Sequence, residues 1–180
     1  RSEVRAAREV VSPNVCRVFD LIEVHGRELV SMEYVDGDTL LDVLQQRGPL
    51  DLEEAQDIAS QFLAGLEAIH RAGLIHRDVK PENIMLTRAG RVVVMDFGLA
   101  RQEAEGSGSV SGTPAYMAPE QIRDASTVDQ RADIFALGCI FYEMLSGVVP
   151  HSGDDSLTVL NAVAEGDVKP IQSLVRGLPG

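Results

Sequence analysis

The most regular apolar pattern in the chain lies between Asp51 and Gly73. Leu52, Ala55, Ile58, Ala59, Phe62, Leu63, Leu66 and Ile69 recur at three- and four-residue steps, which predicts one apolar face of a helix. Asp51 stands where an N-cap is needed, Glu54 follows as a capping-box partner, and Gly73 supplies the stop. Upstream, Ser2 to Val11 has helical composition and ends at Ser12-Pro13-Asn14, where Pro13 disfavours a helical residue before it. Val15 to Val24 and Glu28 to Val35 are β-branched and apolar, and His25-Gly26 between them predicts a hairpin. Asp36-Gly37-Asp38 reads as a loop and Thr39 to Gln46 as a short helix that Gly48-Pro49 ends. Short strands are expected at 84–86 and 91–95, hinged on Ala89-Gly90. Glu103 to Ser111 is small, polar and rich in Gly and Ser, the composition of a mobile loop. From Thr127 to Gly147 the chain is apolar almost all round, through Ile134, Phe135, Leu137, Ile140, Phe141, Met144 and Leu145. That predicts a helix at the centre of a domain. A weaker helix is expected from Asp155 to Glu165, with no firm pattern from Gly166 to Gly180 and no internal repeat.

Composition narrows the class. One hundred and eighty residues suffice for one domain with a core. The net charge of −12 and the lack of a Lys/Arg cluster argue against a nucleic-acid-binding surface. No run of eighteen apolar residues is present, so no membrane segment is read in this chain, and a cytoplasmic location is expected. Cys16 and Cys139 sit far apart in apolar runs and read as buried small hydrophobes, neither a disulfide nor a metal site.

Candidate chemistry gathers in two short stretches, each beside a β-like run: His76-Arg77-Asp78-Val79-Lys80-Pro81-Glu82-Asn83, and Met95-Asp96-Phe97-Gly98. Asp78 is a candidate base, Lys80 a cation, and Asn83 and Asp96 are oxygen ligands suited to a hard metal ion. Together they form a minimal kit for moving a phosphoryl group from a Mg²⁺-bound nucleotide to a hydroxyl. Ala118-Pro119-Glu120 follows in order. Read singly, each of these residues is an ordinary turn or surface residue; the fixed spacing is what makes the set specific.

These stretches resemble the catalytic-loop, metal-binding and APE signatures of protein kinases, with Val79 in place of the usual leucine. The KPEN wording and Gly112-Thr113-Pro114-Ala115-Tyr116-Met117 are similar to Ser/Thr kinases, and the Met117–Gln121 wording to the bacterial eukaryotic-like type. The resemblance implies an α+β, protein-kinase-like bilobal fold: residues 1–35 as the remainder of a small lobe and hinge, and 36–180 as an incomplete helical large lobe. It implies ATP and Mg²⁺ as cofactors, Asp78 as base, Lys80 on the transferred phosphoryl group, and Asn83 and Asp96 on the metal. Met32 would be the gatekeeper, Glu33 and Val35 would offer backbone groups to adenine, and Met85 would form part of the floor. His76 and Phe97 are expected to be structural, and Asp133 to anchor the catalytic-loop backbone. Thr113 would lie near Asp78 in the substrate loop, and Glu82 would meet basic residues of a substrate, the alternative for Glu82 being a solvated acid. Arg77 would face a phosphate, which makes Ser107, Ser109 and Ser111 candidate autophosphorylation sites, with linker composition as the alternative for each.

Glu3 lies ten residues before Pro13, the spacing of the kinase helix glutamate whose strand lysine grips the nucleotide phosphates. That lysine and the Gly-rich loop would lie upstream of Arg1, and a partner for Glu120 beyond Gly180, so the expectation is a kinase truncated at both ends. Three readings follow. The first is the body of an active Ser/Thr kinase acting on protein substrates, with trans-autophosphorylation between two copies; the 180 residues alone would transfer little phosphate. The second is a non-catalytic, pseudokinase-like interaction module. The third is a small-molecule kinase, for which the 112–120 loop is the wrong signature.

Overall fold

The computed structural model describes residues 2–25, 27–97 and 113–178. The chain opens with helix α1 (Ser2–Glu9) and a hairpin of β1 (Val18–Val24) and β2 (Arg27–Met32), paired antiparallel with Ile22 opposite Leu29. The hairpin is shorter than its apolar run: Val15 makes only an isolated bridge to Val94, and the register shifts between Val18 and Asp20. A second sheet has the order β3 (Gly37–Thr39), β4 (Ile84–Thr87), β5 (Val92–Val94), all antiparallel. Strand β3 corrects the expected loop at 36–38. A Cβ on Gly37 would run into the Leu86 carbonyl, so glycine lets the two backbones approach closely enough to pair.

Helix α2 (Leu40–Arg47) is closed at its start by a reciprocal capping box between Thr39 and Asp42. Helix α3 (Leu52–Arg71) uses only half of the predicted box. Asp51 accepts the Glu54 N–H at 2.9 Å, but the Glu54 carboxylate pairs with Arg47 at 2.7 Å instead of returning to the cap. At its other end Leu74 N–H reaches Ile69 C=O around Gly73, whose φ of 74° is the left-handed turn anticipated for a glycine there. The buried stripe of α3 is Ala55, Ile58, Phe62, Gly65, Leu66 and Ile69. Leu63 is 47 % exposed, so its expected place on that face is corrected: it lies about 100° round the helix from Phe62. Full burial of Leu66 and Ile69 contributes about 1.5–3 kcal/mol each.

Helices α4 (Pro119–Arg123), α5 (Arg131–Ser146) and α6 (Ser156–Glu165) complete the described chain. The start of α5 is later than the apolar pattern predicts, because Asp124 and Asp129 bond backbone N–H groups two residues ahead and hold 124–130 in turns. Nor is α5 buried all round. Ala132, Asp133, Ala136, Cys139, Ile140, Met144 and Leu145 face inward, while Ile134 is 43 % exposed. One apolar cluster links α1, α3, β4, β5 and α5, and the motif-bearing segments hang from it. Among the described residues no helix is long and apolar enough to cross a membrane.

Candidate active site

The loop from α3 to β4 carries the HRDVKPEN stretch, and a carboxylate from α5 fixes its shape. Asp133 is 1 % exposed and accepts His76 N–H at 2.9 Å on Oδ2 and Arg77 N–H at 2.9 Å on Oδ1. His70, in the last turn of α3, completes the set with Nε2 at 2.7 Å from Asp133 Oδ2. These bonds hold Arg77 at a φ of 67°, a conformation that costs a non-glycine residue free energy unless its surroundings impose it. Buried carboxylates need such partners, since an unpaired one carries a large desolvation penalty.

His76 is structural, as expected. Its ring is buried, with Nε2 at 2.8 Å from Met95 C=O and Nδ1 at 3.4 Å from Asp78 N–H. That pattern requires Nε2 to donate and Nδ1 to accept, which is the neutral ring. Burial, the dominant cause, pushes its pKa below the ordinary histidine value despite the Asp133 charge. Phe97 is likewise buried in the main apolar cluster.

Beyond His76 the polar groups converge. Lys80 Nζ lies 3.1 Å from Asp78 Oδ2, and Asn83 Nδ2 donates to Asp78 C=O at 2.8 Å and approaches Oδ2 at 3.3 Å. Asp78 Oδ1 makes no hydrogen bond among the described residues. Asn83 spends its amide hydrogens on Asp78, and its Oδ1, an acceptor, makes no hydrogen bond among the described residues. A 3₁₀ turn at Pro81–Asn83 sets this geometry, and Met95 N–H to Asn83 C=O at 2.8 Å ties the end of β5 to it. Asp96 follows directly, exposed and at a φ of 54°.

A crevice beside Asp78 is lined by Arg77, Thr113, Tyr116, Met117 and Gln121, so Thr113 and Asp78 border the same crevice. Gln121 braces it, donating Nε2 to Arg77 C=O and accepting Ala118 N–H, both at 2.9 Å. Tyr116 O–H donates to Glu143 at 2.7 Å; burial and that carboxylate raise the phenol's pKa, and burial raises that of Glu143. Glu82 is exposed, and its charge acts on this pair.

On the other side of β5, Cys16, Val35 and Val93 form a small buried cluster with Met32, Met85 and Met95 packed against it. Three residues singled out in the sequence, Met32, Val35 and Met85, therefore meet. Cys16, Val93 and Met95 join them and were not singled out as site residues. The backbone N–H of Glu33 is spent on Arg17 C=O at 2.8 Å, which leaves its carbonyl as the group it can offer. Both cysteines are free and buried, as expected, and burial raises their thiols to about 11 for Cys16 and about 12 for Cys139. Glu3 falls within α1, but its side chain lies outside what the structure describes, and Ser107, Ser109 and Ser111 lie outside the described residues.

Around Asp133, sequence reasoning missed His70. A signal existed: a histidine in the final helical turn, six residues before His76. Nothing local connects it to a carboxylate 63 positions away.

Residues 1–174 match the protein kinase domain, and the chain belongs to that family. Among its relatives is the serine/threonine-protein kinase PknL of Mycobacterium tuberculosis, 37 % identical over 183 residues, covering 99 % of this chain and 46 % of the relative. The serine/threonine-protein kinase PknB of Mycobacterium leprae is 38 % identical, covering 96 % of this chain and 29 % of the relative. A probable serine/threonine-protein kinase PknB of Bifidobacterium longum is 36 % identical, covering 99 % and 28 %. The chain thus spans less than half the length of these relatives.

Proposed function

We propose that the protein containing this chain is a Ser/Thr protein kinase that transfers the γ-phosphoryl group of ATP to Ser or Thr hydroxyls of proteins. One observation carries the reading. Asp78 has one carboxylate oxygen occupied by Lys80 and Asn83 and the other without a partner among the described residues, at the edge of a crevice it shares with Thr113. In this reading Asp78 Oδ1 takes the hydroxyl proton as the substrate oxygen bonds to the γ-phosphorus and the bond to the β-phosphate oxygen breaks, releasing ADP. Lys80 offsets charge on the transferred group.

The donor set fits Mg²⁺. Asn83 Oδ1 is free for a cation, and Asp96 is exposed and makes no hydrogen bond among the described residues; both are hard oxygen ligands. The ion would neutralise charge on the outer phosphates. Adenine would lie on the Met32, Val35 and Met85 cluster, with backbone groups of Glu33 and Val35 as its partners, and Glu3 would serve the phosphates through a strand lysine. Glu82 would meet a basic substrate residue, and Thr113 the substrate backbone near Asp78. Residues 1–35 are assigned to a small lobe and hinge and 36–180 to a large lobe. Action in the cytoplasm and trans-autophosphorylation at Ser107, Ser109 or Ser111 belong to the same proposal.

The test is phosphate transfer from labelled ATP to a Ser/Thr protein by the purified protein. Asp78→Asn should lower the rate by about 10²–10⁴-fold with nucleotide binding and thermal midpoint little changed. Transfer that survives this substitution would sink the assignment, and a wild type that neither binds nor spends ATP would favour an interaction module.

A further inference from the structure

Three stretches of chain meet beside the hinge. Residues 14–16 run along the outer edge of β5, with Val94 N–H bonded to Asn14 C=O at 2.9 Å and Cys16 N–H to Val94 C=O at 2.8 Å. At Glu33 the chain turns to face Arg17: Glu33 N–H donates to Arg17 C=O, and Arg17 N–H returns to Glu33 Oε2 at 3.4 Å. Arg91, the residue before β5, closes the triangle. Its Nη2 donates to Glu33 Oε1 at 2.8 Å, and its Nη1 reaches Pro13 C=O at 3.4 Å.

Arg91 has help at the next residue. Val92 C=O accepts Asn14 Nδ2 at 2.8 Å, and Val92 N–H donates to Gln61 Oε1 at 3.0 Å. The entry to β5 is therefore gripped by the side chains of Asn14, Glu33 and Gln61. Of these contacts, only the Arg91 bond to Glu33 leads to the hinge. The Arg91 guanidinium holds the Glu33 carboxyl below the usual range, which favours its charged form. Two residues past Arg91, Val93 packs against Cys16 and Val35, and Asp96 lies three residues further on.

We propose that Arg91 is a positioning residue for the nucleotide: by gripping the Glu33 carboxylate it fixes the hinge backbone relative to β5 and the Asp96 that follows it. The inference rests on the reading of the hinge as the adenine site. With its N–H taken by Arg17, Glu33 has only its carbonyl for adenine; that carbonyl, 3.6 Å from Cys16 Sγ, keeps a lone pair available. Its direction is set by how the residue is held, and the Arg91 bond fixes the side chain. Binding groups must sit in register with the reacting end, since misplacement of either weakens the whole. Arg91 touches neither base nor phosphate, so it acts through Glu33.

The experiment compares wild type, Arg91→Met and the swapped pair Glu33→Arg with Arg91→Glu. Mg-ATP affinity is measured by calorimetry, phosphotransfer kinetics by label transfer, and hinge opening by amide hydrogen exchange at Glu33 to Asp36. Both side chains keep about a third of their surface in solvent, 28 % and 38 %, which limits the expected effect. Arg91→Met should weaken ATP affinity by about two- to five-fold, the span of a partly exposed ion pair. It should raise KM for ATP with kcat held, and speed exchange at Glu33 before nucleotide is added. The swapped pair should recover most of the affinity, which a loss of packing alone would not predict. Unchanged affinity in Arg91→Met, with normal wild-type binding, overturns the grip while leaving the adenine reading intact. A wild type that binds no nucleotide overturns the adenine reading, and this inference with it.

Discussion

The loop that carries Asp78 and the methionine-lined floor lie on either side of β5, and they are held in different ways. In the loop, one buried carboxylate takes hydrogen bonds from His70, His76 and Arg77, and the His76 ring bonds Met95 and Asp78 besides. Direction is imposed there by atoms with fixed donors and acceptors. Around Val93 contact is between apolar groups, three of them flexible methionines, and polar support comes from partly exposed side chains at the edge. In the proposed function Asp78 presents one oxygen to one proton, and that task needs the first kind of construction. In the same proposal the methionine surface accepts a flat ring, for which shape and dryness suffice, and the second kind supplies them. The loop should therefore fail abruptly when altered, and the floor should yield gradually.

The sharpest way to break the comparison is Asp133→Ala. The substitution strands the N–H groups of His76 and Arg77 and leaves Arg77 without the bonds that hold its left-handed backbone. Loss of a buried charged partner costs about 3–5 kcal/mol. Urea denaturation should show that loss. A cost under about 1 kcal/mol, the scale of one surface contact, would mean the loop is held by packing like the floor.

A smaller effect comes from acid. The His76 ring is kept neutral by burial, so its folded pKa lies below the value of about 6.5 it has in an unfolded chain. As pH falls through 6.5 the unfolded chain takes up a proton that the folded one refuses, and stability drops. His151 shifts in the same direction, also through burial; its Nδ1 has no hydrogen-bond partner among the described residues, and its ring stacks on Phe135 at 6.0 Å. A His151→Phe, Glu143→Gln double variant keeps the stack and removes both that contribution and the opposing one of Glu143, whose carboxyl burial raises, so the slope remaining between pH 7 and 5.5 reports His76. A flat denaturation midpoint over that range in the variant would contradict a buried neutral His76.

How much of this was legible in the sequence follows the same division. Asp78, Lys80 and Asn83 are close in the chain, so their meeting could be read from spacing, and Asp133 was expected only through the family resemblance. His70 and Asp133 are 63 positions apart, and Glu33 and Arg91 are 58 apart. Neither pair has a local pattern, because a hydrogen bond between distant elements leaves no periodicity. Strand β3 was missed for a related reason: Asp36-Gly37-Asp38 has turn chemistry, and only the non-local approach of β4 makes it a strand. Helix α3 was legible because burial repeats along one face. Its error at Leu63, and that at Ile134 in α5, arose from treating every apolar residue as inward-facing, whereas folded surfaces keep many apolar side chains.

The mildest test probes the floor. Met85→Leu keeps apolar character and nearly the same volume at a position that packs against Val93 and Cys16 without a buried polar bond to break. Swaps of this kind cost less than about 1.5 kcal/mol because neighbouring side chains repack. Here the neighbours include Met32 and Met95, which adjust through rotatable bonds. Denaturation should therefore register a small loss, and Mg-ATP affinity should change by less than about three-fold, roughly 0.7 kcal/mol at 1.4 kcal/mol per factor of ten. A loss of affinity beyond ten-fold would show that the floor demands the fixed geometry of the loop. The division between a directional side and an accommodating one would then have to be abandoned.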